Sequence, residues 1–253
     1  MKNSNITLAV VAVMAAATMF TGTALATVTP PTGLGPGDQC QLIFVTADPT
    51  TATSADINYY NTFVQGEAAL NPSLPSATWS AVASTADVAA NVNAQTYYGI
   101  PIYNTLGQQV TSAYGAGLWT DPVTLGSPVQ TNQFGASEAY IQVWTGAGPR
   151  GWQAIDDSPL CLGSPGGLNG AYAAYGESGY TDSGWIEAGV TSIYANPLDP
   201  SSPAISNPLY ALSSVITVPV PEPGTLTLLG IGTGGTCRGS LSAAAVGRRR
   251  DDC

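Results

Sequence analysis

The sequence predicts an α+β domain with a mixed sheet, few helices and long loops, flanked by two terminal targeting segments. Three observations support this fold class. Short apolar runs rich in β-branched and aromatic residues recur along residues 27–218 and indicate strands. One segment, residues 53–68, combines a helix start with helical spacing of its apolar side chains. Stretches rich in Gly, Pro and Ser separate these elements and indicate loops.

The first strand and the helix are predicted near the start of this domain. Residues 40–46 have a four-residue apolar centre with β-branched members, which favours a buried strand. Thr53-Ser54-Ala55-Asp56 is typical of a helix start, and Asn71-Pro72 ends the predicted helix. Between these two signals the apolar residues follow a helical spacing, at Ile57, Tyr60, Phe63, Val64 and Ala68.

The rest of the domain is predicted to consist of short elements and loops. The further short elements are expected at residues 78–83, 99–104, 108–111, 140–146, 183–186 and 210–216. Residues 162–184 are dense in Gly, Ser and Tyr and are predicted to form a loop. Because no internal repeat and no clear linker is visible, one domain of about 190 residues is expected.

Charge and composition exclude several classes of function. The chain has 253 residues, a formal net charge of −10 and no histidine. Between residues 27 and 220, Arg150 is the single basic residue against thirteen acidic ones. Such a surface repels phosphate backbones and anionic lipid, which argues against nucleic-acid binding. Without histidine, Ser-His-Asp and Cys-His catalysis and histidine metal sites are excluded.

The N-terminus has the layout of a signal peptide. Lys2 provides the positive start, residues 6–20 provide a short apolar run, and Ala24-Leu25-Ala26 provides the small-x-small cleavage pattern. The run is too short and too rich in alanine for a good membrane-spanning helix. We therefore predict a signal peptide over residues 1–26, with a buried N-terminal helix as the alternative.

Export has a consequence for the two cysteines of the domain. It brings Cys40 and Cys161 into an oxidising compartment, where a disulfide between them is a candidate. Two separate thiols are the alternative, because the sequence does not give the distance between the two Cα atoms.

Acidic residues form the first candidate site for ligand contact. Asp156-Asp157 is the single adjacent acidic pair of the domain, and with Asp182 or Glu187 it could ligate calcium through loop oxygens. A solvated loop is the alternative, because no spaced Asp-x-Asp-x-Asp series accompanies the pair. The same carboxylates could flank a glycosidic bond in a hydrolase.

Aromatic residues form the second candidate site, a platform on which a sugar ring could stack. Its members are Trp119, Trp144, Trp152, Trp185, Tyr172, Tyr175 and Tyr180. Core packing is the alternative, and it is predicted for Trp79 and Trp144 because both lie in strand-like contexts. Trp152 and Tyr175 have polar, Gly-rich neighbours and are predicted to be exposed.

The C-terminal segment has three parts. Residues 218–223 hold three prolines that can continue neither a helix nor a central strand, residues 225–231 and 241–246 are apolar, and Arg248-Arg249-Arg250 forms a cationic flank. Pro221-Glu222-Pro223 with the apolar segment and the arginine cluster resembles the PEP-CTERM sorting tail of exported bacterial proteins. The resemblance implies that residues 219–253 are held in the membrane until an exosortase cleaves near Pro221-Glu222-Pro223.

The tail departs from the family pattern at one place. Residues 232–240 interrupt the apolar segment with four glycines and Arg238, which weakens a spanning helix. An unstructured C-terminal extension is therefore the alternative.

The order of elements in the domain resembles the C-type-lectin-like fold, in particular its endostatin-like branch. The likeness depends on the strand and helix at residues 42–56, on the W-x-A-x-x-S pattern at residues 79–84, and on the P-I-x-N and V-W-x-G motifs at residues 101–104 and 143–146. The resemblance implies a fold without the family's functions. The zinc-binding histidines, the heparin-binding arginines and the calcium-binding Glu-Pro-Asn and Gln-Pro-Asp triplets are all missing.

The resulting main hypothesis is a secreted, non-enzymatic protein of the cell surface or the extracellular exopolysaccharide matrix. It would be an exosortase substrate of a Gram-negative bacterium, anchored transiently in the inner membrane, with the export machinery and exopolysaccharide as partners and no cofactor. The alternative is a lectin-like adhesin that binds glycan or calcium through residues 150–187. A carboxylate-dependent hydrolase is a third hypothesis.

Overall fold

The computed structural model describes residue 31 and residues 33–112, 117–120, 123–154, 160–164 and 171–220. The helices are α1 Ile57–Ala69 and α2 Ala90–Asn93, with 3-10 turns at Gly117–Trp119 and Ser183–Trp185. The strands are β1 Gln39–Val45, β2 Thr50–Thr51, β3 Trp79–Ala81, β4 Ile102–Asn104, β5 Gln109–Thr111, β6 Gln142–Trp144, β7 Tyr172–Glu177, β8 Gly189–Ser192, β9 Ser206–Asn207, β10 Tyr210–Ser213 and β11 Ile216–Thr217.

The terminal segments predicted from the sequence lie almost entirely outside the described residues. This applies to the signal peptide at residues 1–26 and to the tail from residue 221 onward, including Pro221, Glu222 and Pro223 and the arginine cluster Arg248, Arg249 and Arg250. In the part of the chain that the structure does describe, no helix combines the length and the apolar character needed to cross a bilayer.

A six-stranded mixed sheet lies at the centre of the fold. Its strand order is β3-β10-β1-β4-β5, and β11 also pairs with β1. β1 lies antiparallel to β10, with Ile43 opposite Leu212, and parallel to β4, with Leu42 opposite Tyr103. Two smaller sheets, β2-β9 and β6-β7-β8, complete the fold. The predicted architecture of mixed sheet with few helices is confirmed, and strand predominates over helix.

The central strand β1 is buried on both of its faces. Leu42 and Phe44 belong to one apolar cluster, and Ile43 and Val45 belong to a second cluster on the opposite face. A strand covered on both sides has an uninterrupted apolar run instead of an alternating one. The unbroken run at residues 42–45 predicted a buried strand, and this prediction is confirmed.

Helix α1 covers one face of this sheet, as the sequence predicted. Asp56 caps its N-terminus, because the Asn58 backbone N–H donates to Asp56 Oδ1 at 2.9 Å. Its buried apolar residues follow helical spacing and enter the cluster of Leu42 and Phe44, at Ile57, Tyr60, Val64 and Ala68. The helix gives way to the turn before Pro72, which cannot continue it.

The two ends of the domain are held together by strand pairing. β11 lies antiparallel to the start of β1, with Thr217 opposite Gln39. Beyond this pair, Gly37 N–H donates to the Val218 carbonyl at 2.9 Å, and Val218 N–H donates to the Asp38 carbonyl at 2.8 Å. The chain therefore enters and leaves the sheet side by side.

The predicted loop at residues 162–184 is wrong, because this stretch contains the strand β7. β7 is the central strand of its sheet, with β6 on one side and β8 on the other. Its small residues permit a very close approach, since a Cβ at Gly176 would overlap the Trp185 carbonyl. Ala173 and Ala174 are fully buried in the same strand. Glycine and alanine here serve close packing rather than a turn.

The candidate disulfide between Cys40 and Cys161 is also corrected, because both residues are free, buried thiols. Cys40 lies at the start of β1, and Leu162 N–H donates to the Ser84 carbonyl at 2.9 Å. Ser84 continues from β3 towards the opposite end of β1, where Val45 pairs with Tyr210. Cys161, which precedes Leu162, therefore lies near the end of β1 at Val45, whereas Cys40 lies at its start. The five residue steps from Cys40 to Val45 span about 16 Å of strand, and a disulfide requires Cα atoms within about 7 Å.

Candidate functional site

A tight hairpin at residues 147–153 carries the most exposed tryptophan of the described chain. Ala147 and Gln153 form an antiparallel bridge, and Gly148 N–H donates to the Trp152 carbonyl at 2.9 Å. Gly151 N–H donates back to the Gly148 carbonyl at 2.8 Å. These bonds fix the backbone on both sides of Trp152, so that its indole ring projects from a closed loop.

The hairpin is anchored to helix α2 and to Trp119. Asn91 N–H donates to the Gly151 carbonyl and Asn91 Nδ2 donates to the Arg150 carbonyl, both at 3.1 Å. Gly151 has a φ of +71°, and a Cβ at this position would overlap the ring of Trp119. Glycine is therefore required here by both backbone conformation and space.

One shallow cavity of about 280 Å³ opens beside this hairpin. Trp152 is 58 % exposed, and the guanidinium carbon of Arg150 lies 5.5 Å from the centroid of its ring, within cation–π range. The residues that line the cavity are Gly148, Pro149, Arg150, Trp152, Gln153, Ala154 and Glu187. Two of the predicted ligand-contact residues, Trp152 and Glu187, thus share one cavity.

Glu187 supplies the carboxylate of this cavity. It follows the 3-10 turn Ser183–Trp185, and its backbone N–H donates to the Ser183 carbonyl at 3.0 Å. Burial raises the pKa of the Glu187 carboxyl above the ordinary value of a glutamate. Its Oε2 lies 3.8 Å from the point where a Cβ on Gly148 would stand. Glycine at position 148 therefore leaves room beside the carboxylate.

The arrangement combines a flat aromatic face with hydrogen-bonding groups at its edge. The indole of Trp152 can cover the apolar face of a ring, while Glu187 accepts hydrogen bonds and the Gln153 amide can donate and accept. Binding sites for small molecules commonly pair apolar surface with a few polar groups in this way. A glycosidase requires two carboxyl groups, and Glu187 is the one carboxylate that lines the cavity among the described residues.

The other predicted contact residues lie elsewhere or outside the described residues. Tyr175 is partly buried and packs against the apolar core, so its predicted exposure is wrong. Asp182 caps the second 3-10 turn, where Gly184 N–H donates to its Oδ1 at 2.9 Å. Neither residue lines the cavity beside Trp152. Asp156 and Asp157 lie outside the described residues.

For two members of the candidate aromatic platform the structure shows core packing, the alternative reading, so these residues do not form one binding surface. Trp144 and Trp185 are fully buried, and Trp185 packs against Tyr210 with ring centroids 5.4 Å apart. The predicted burial of Trp79 and the predicted exposure of Trp152 are both confirmed. Among the described residues, no group of three or more Cys, Asp or Glu side chains is arranged to hold a metal ion.

Sequence reasoning missed the hairpin that builds the cavity. Gly148-Pro149-Arg150-Gly151 is a strong turn signal, and its position between the small residue Ala147 and Gln153 could have predicted a tight loop. That prediction would have brought Arg150 and Gln153 into the site with Trp152. No local pattern, in contrast, places Glu187 beside Gly148, because the two are joined only by the tertiary fold.

No protein-family model matches the chain, and no curated protein sequence matches it.

Proposed function

We propose that this chain is a non-enzymatic exported protein of the bacterial cell surface or exopolysaccharide matrix, sorted through a PEP-CTERM tail. The observation that carries the proposal is the pairing of the two ends of the domain. β11 lies beside the start of β1, and Val218 makes one backbone hydrogen bond with Gly37 and one with Asp38. Because β11 ends at Thr217, the sorting tail begins directly beyond the sheet.

This geometry suits a protein that is cut at both ends. A signal peptide and a sorting tail would leave the domain side by side, and removal of either segment interrupts none of the strands in the described part of the chain. Val220, the last described residue before the sorting motif, is 66 % exposed, so the described chain ends at the surface of the domain.

We further propose that the domain has a C-type-lectin-like, endostatin-like fold. The residues on which the resemblance depends lie in strands, with Trp79 beginning β3, Asn104 ending β4 and Trp144 ending β6. All three side chains are buried, so the motif residues belong to the framework of the domain rather than to a binding surface.

The export proposal is tested by mass analysis of the protein recovered from the producing bacterium. We expect an N-terminus at Thr27 and a C-terminus near Pro221-Glu222-Pro223. Alanine at positions 221–223 should leave the tail attached and retain the protein in the membrane, whereas Pro200→Ala, at an exposed proline in a loop, should not change processing. Recovery of the intact chain from the cytosol contradicts the proposal.

A second candidate function is glycan binding in the Trp152 cavity, which the exposed indole next to the Glu187 carboxylate favours. The hydroxyl groups of a sugar would donate to Glu187 while its apolar face covers Trp152. Calcium is the competing ligand of the same hypothesis, and Glu187 is the one carboxylate that the described part of this cavity offers it.

A glycan array with the purified chain, with and without calcium, tests this second function. Trp152→Ala and Glu187→Gln should each weaken binding about tenfold. Tyr98→Ala is the matched control, because Tyr98 is 81 % exposed and does not line the cavity. Binding that survives both cavity substitutions, or no binding to any glycan, contradicts it. A calcium-dependent rise in Tm without glycan binding would favour calcium as the ligand.

A further inference from the structure

Tyr140 is the one residue other than glycine that has a left-handed backbone in the described part of the chain. Its φ is +57°, a conformation in which the Cβ of an L-residue is crowded by its own backbone. Glycine would adopt this conformation without that cost. Burial does not offset the cost, because the side chain is 73 % exposed. A strained residue whose side chain stays in solvent points to a role in contact with a ligand.

Hydrogen bonds to Ser178 hold Tyr140 in this conformation. Ile141 N–H donates to Ser178 Oγ at 3.2 Å, and Ser178 N–H donates back to the Ile141 carbonyl at 3.1 Å. Ser178 Oγ also donates to the Glu138 carbonyl. Because Ser178 is fully buried and directly follows β7, the chain on both sides of Tyr140 is fixed to the β6-β7-β8 sheet. The aromatic ring therefore projects from a well-anchored backbone.

A second exposed tyrosine lies beside the first. The ring of Tyr140 lies against Gly179, where an added Cβ would overlap it. The next residue along the chain, Tyr180, is 40 % exposed, and its ring lies against Gly184 in the same manner. The two glycines therefore leave the space that the two rings occupy. The solvent-facing parts of both rings offer a ligand two neighbouring aromatic surfaces.

The charge around Tyr180 is negative. The pKa of its hydroxyl is raised, chiefly by the negative charge of Glu177 and further by that of Asp182. Glu177 ends β7, and the exposed Asp182 caps the second 3-10 turn. Arg150, the single basic residue between residues 27 and 220, lies over the ring of Trp152. Aromatic faces beside carboxylates attract cationic ligands, and the same carboxylates repel anionic polymers.

We propose that Tyr140 and Tyr180 bind a glycan of amino sugars that carry free ammonium groups. The apolar C–H faces of its pyranose rings cover the tyrosine rings, and its ammonium groups lie near Glu177 and Asp182. A neutral glycan would make only the first kind of contact, and an anionic glycan would be repelled. This site depends neither on the sorting tail nor on the Trp152 cavity.

The test is a calorimetric titration of the purified full-length chain with a glucosamine oligomer, beside the N-acetylated oligomer of the same length. The two ligands share their rings and linkages and differ in the charge of the nitrogen. We expect saturable binding of the glucosamine oligomer that weakens with added salt, and about tenfold weaker binding of the acetylated oligomer. Tyr140→Gly should weaken binding of the glucosamine oligomer about tenfold. This variant should still fold, because glycine adopts the φ of Tyr140 without strain.

Matched controls distinguish this site from general attraction of a cation to an acidic protein. Tyr140→Phe keeps the ring, and Trp152→Ala changes the other aromatic site, so both variants should bind the glucosamine oligomer as the unaltered chain does. A lysine oligomer of equal length carries the ammonium groups without sugar rings and should bind more weakly. The proposal is overturned if the glucosamine oligomer does not bind, or if the acetylated oligomer or the lysine oligomer binds equally well. It is also overturned if Tyr140→Gly leaves the affinity unchanged, because net charge alone would then account for binding.

Discussion

Replacing Asn61 by alanine is expected to destabilise the domain by about 2 kcal/mol, because this side chain protects the edge strand β3. Asn61 Oδ1 accepts from Ala81 N–H at 2.9 Å and from Asn93 Nδ2 at 2.8 Å. Asn61 Nδ2 donates to Asn93 Oδ1 at 2.9 Å, and Asn93 Nδ2 also donates to the Ala81 carbonyl at 2.7 Å. The two amides form a reciprocal pair that closes the outer edge of β3.

The magnitude follows from the bonds that the substitution removes. Asn61→Ala deletes three hydrogen bonds, each with a net value of about 1 kcal/mol. Asn61 and Asn93 are only partly buried, so water replaces some of the loss and about 2 kcal/mol remains. For a domain of this size that corresponds to a fall in Tm of about 4–8 °C.

The assay is chemical denaturation of Asn61→Ala beside Asn58→Ala, which makes the same change at an exposed position of the same helix. The control corrects for the higher helix propensity of alanine, about 0.5 kcal/mol. Combining Asn61→Ala with Asn93→Ala should cost less than the sum of the two single changes, since both break the same pair. The reasoning is refuted if Asn61→Ala and Asn58→Ala have equal stability. It is also refuted if the loss of stability in the Asn61→Ala/Asn93→Ala double variant equals the sum of the two single losses.

Three further predictions concern the site and the thiols. Gly151→Ala should lower the free energy of unfolding by at least about 1 kcal/mol, measured by denaturation, because its φ of +71° and the Trp119 ring both oppose a Cβ. Glu187→Gln should have the same free energy of unfolding as the unaltered chain in acid, and denaturation at higher pH should show it to be the more stable of the two. Burial raises the pKa of Glu187 in the fold, so ionisation above the ordinary carboxyl pKa costs the folded state more than the unfolded state. Cys40 and Cys161 should resist alkylation in the native protein and react on unfolding, as read by peptide mass spectrometry, because burial raises the pKa of both thiols.

The sequence predicted those elements whose local pattern and tertiary role agree. The apolar run of β1 and the Asp56 cap with the apolar stripe of α1 are both local signals, and both elements formed where expected. The strands β3, β4, β5, β6 and β10 all lie within predicted segments, and each is shorter than its segment. Strand ends are decided by which neighbour is available for pairing, which a single sequence does not reveal.

The failures occur where long-range packing reverses a local preference. β7 contains Ala173, Ala174 and Gly176, residues that favour loops or helices by themselves, yet β6 and β8 hydrogen-bond to it on both sides. The candidate site shows the same contrast between local sequence signals and long-range packing. Exposure of Trp152 followed from its polar neighbours, whereas its approach to Glu187 depends on how the β6-β7-β8 sheet folds back on the hairpin.

Side-chain amides in this protein make buried tertiary contacts of the kind that ion pairs make in proteins with more charged residues. Glu67 is buried, and its Oε2 accepts from Gln133 Nε2 at 2.8 Å and from Asp48 N–H at 3.1 Å. Gln133 in turn accepts from Ala47 N–H at 2.9 Å, and Asn71 Nδ2 donates to its carbonyl at 2.7 Å. Such contacts are short-range and directional, whereas exposed ion pairs weaken as salt screens them. A domain stabilised in this way needs few cations, which agrees with Arg150 being the single basic residue between residues 27 and 220.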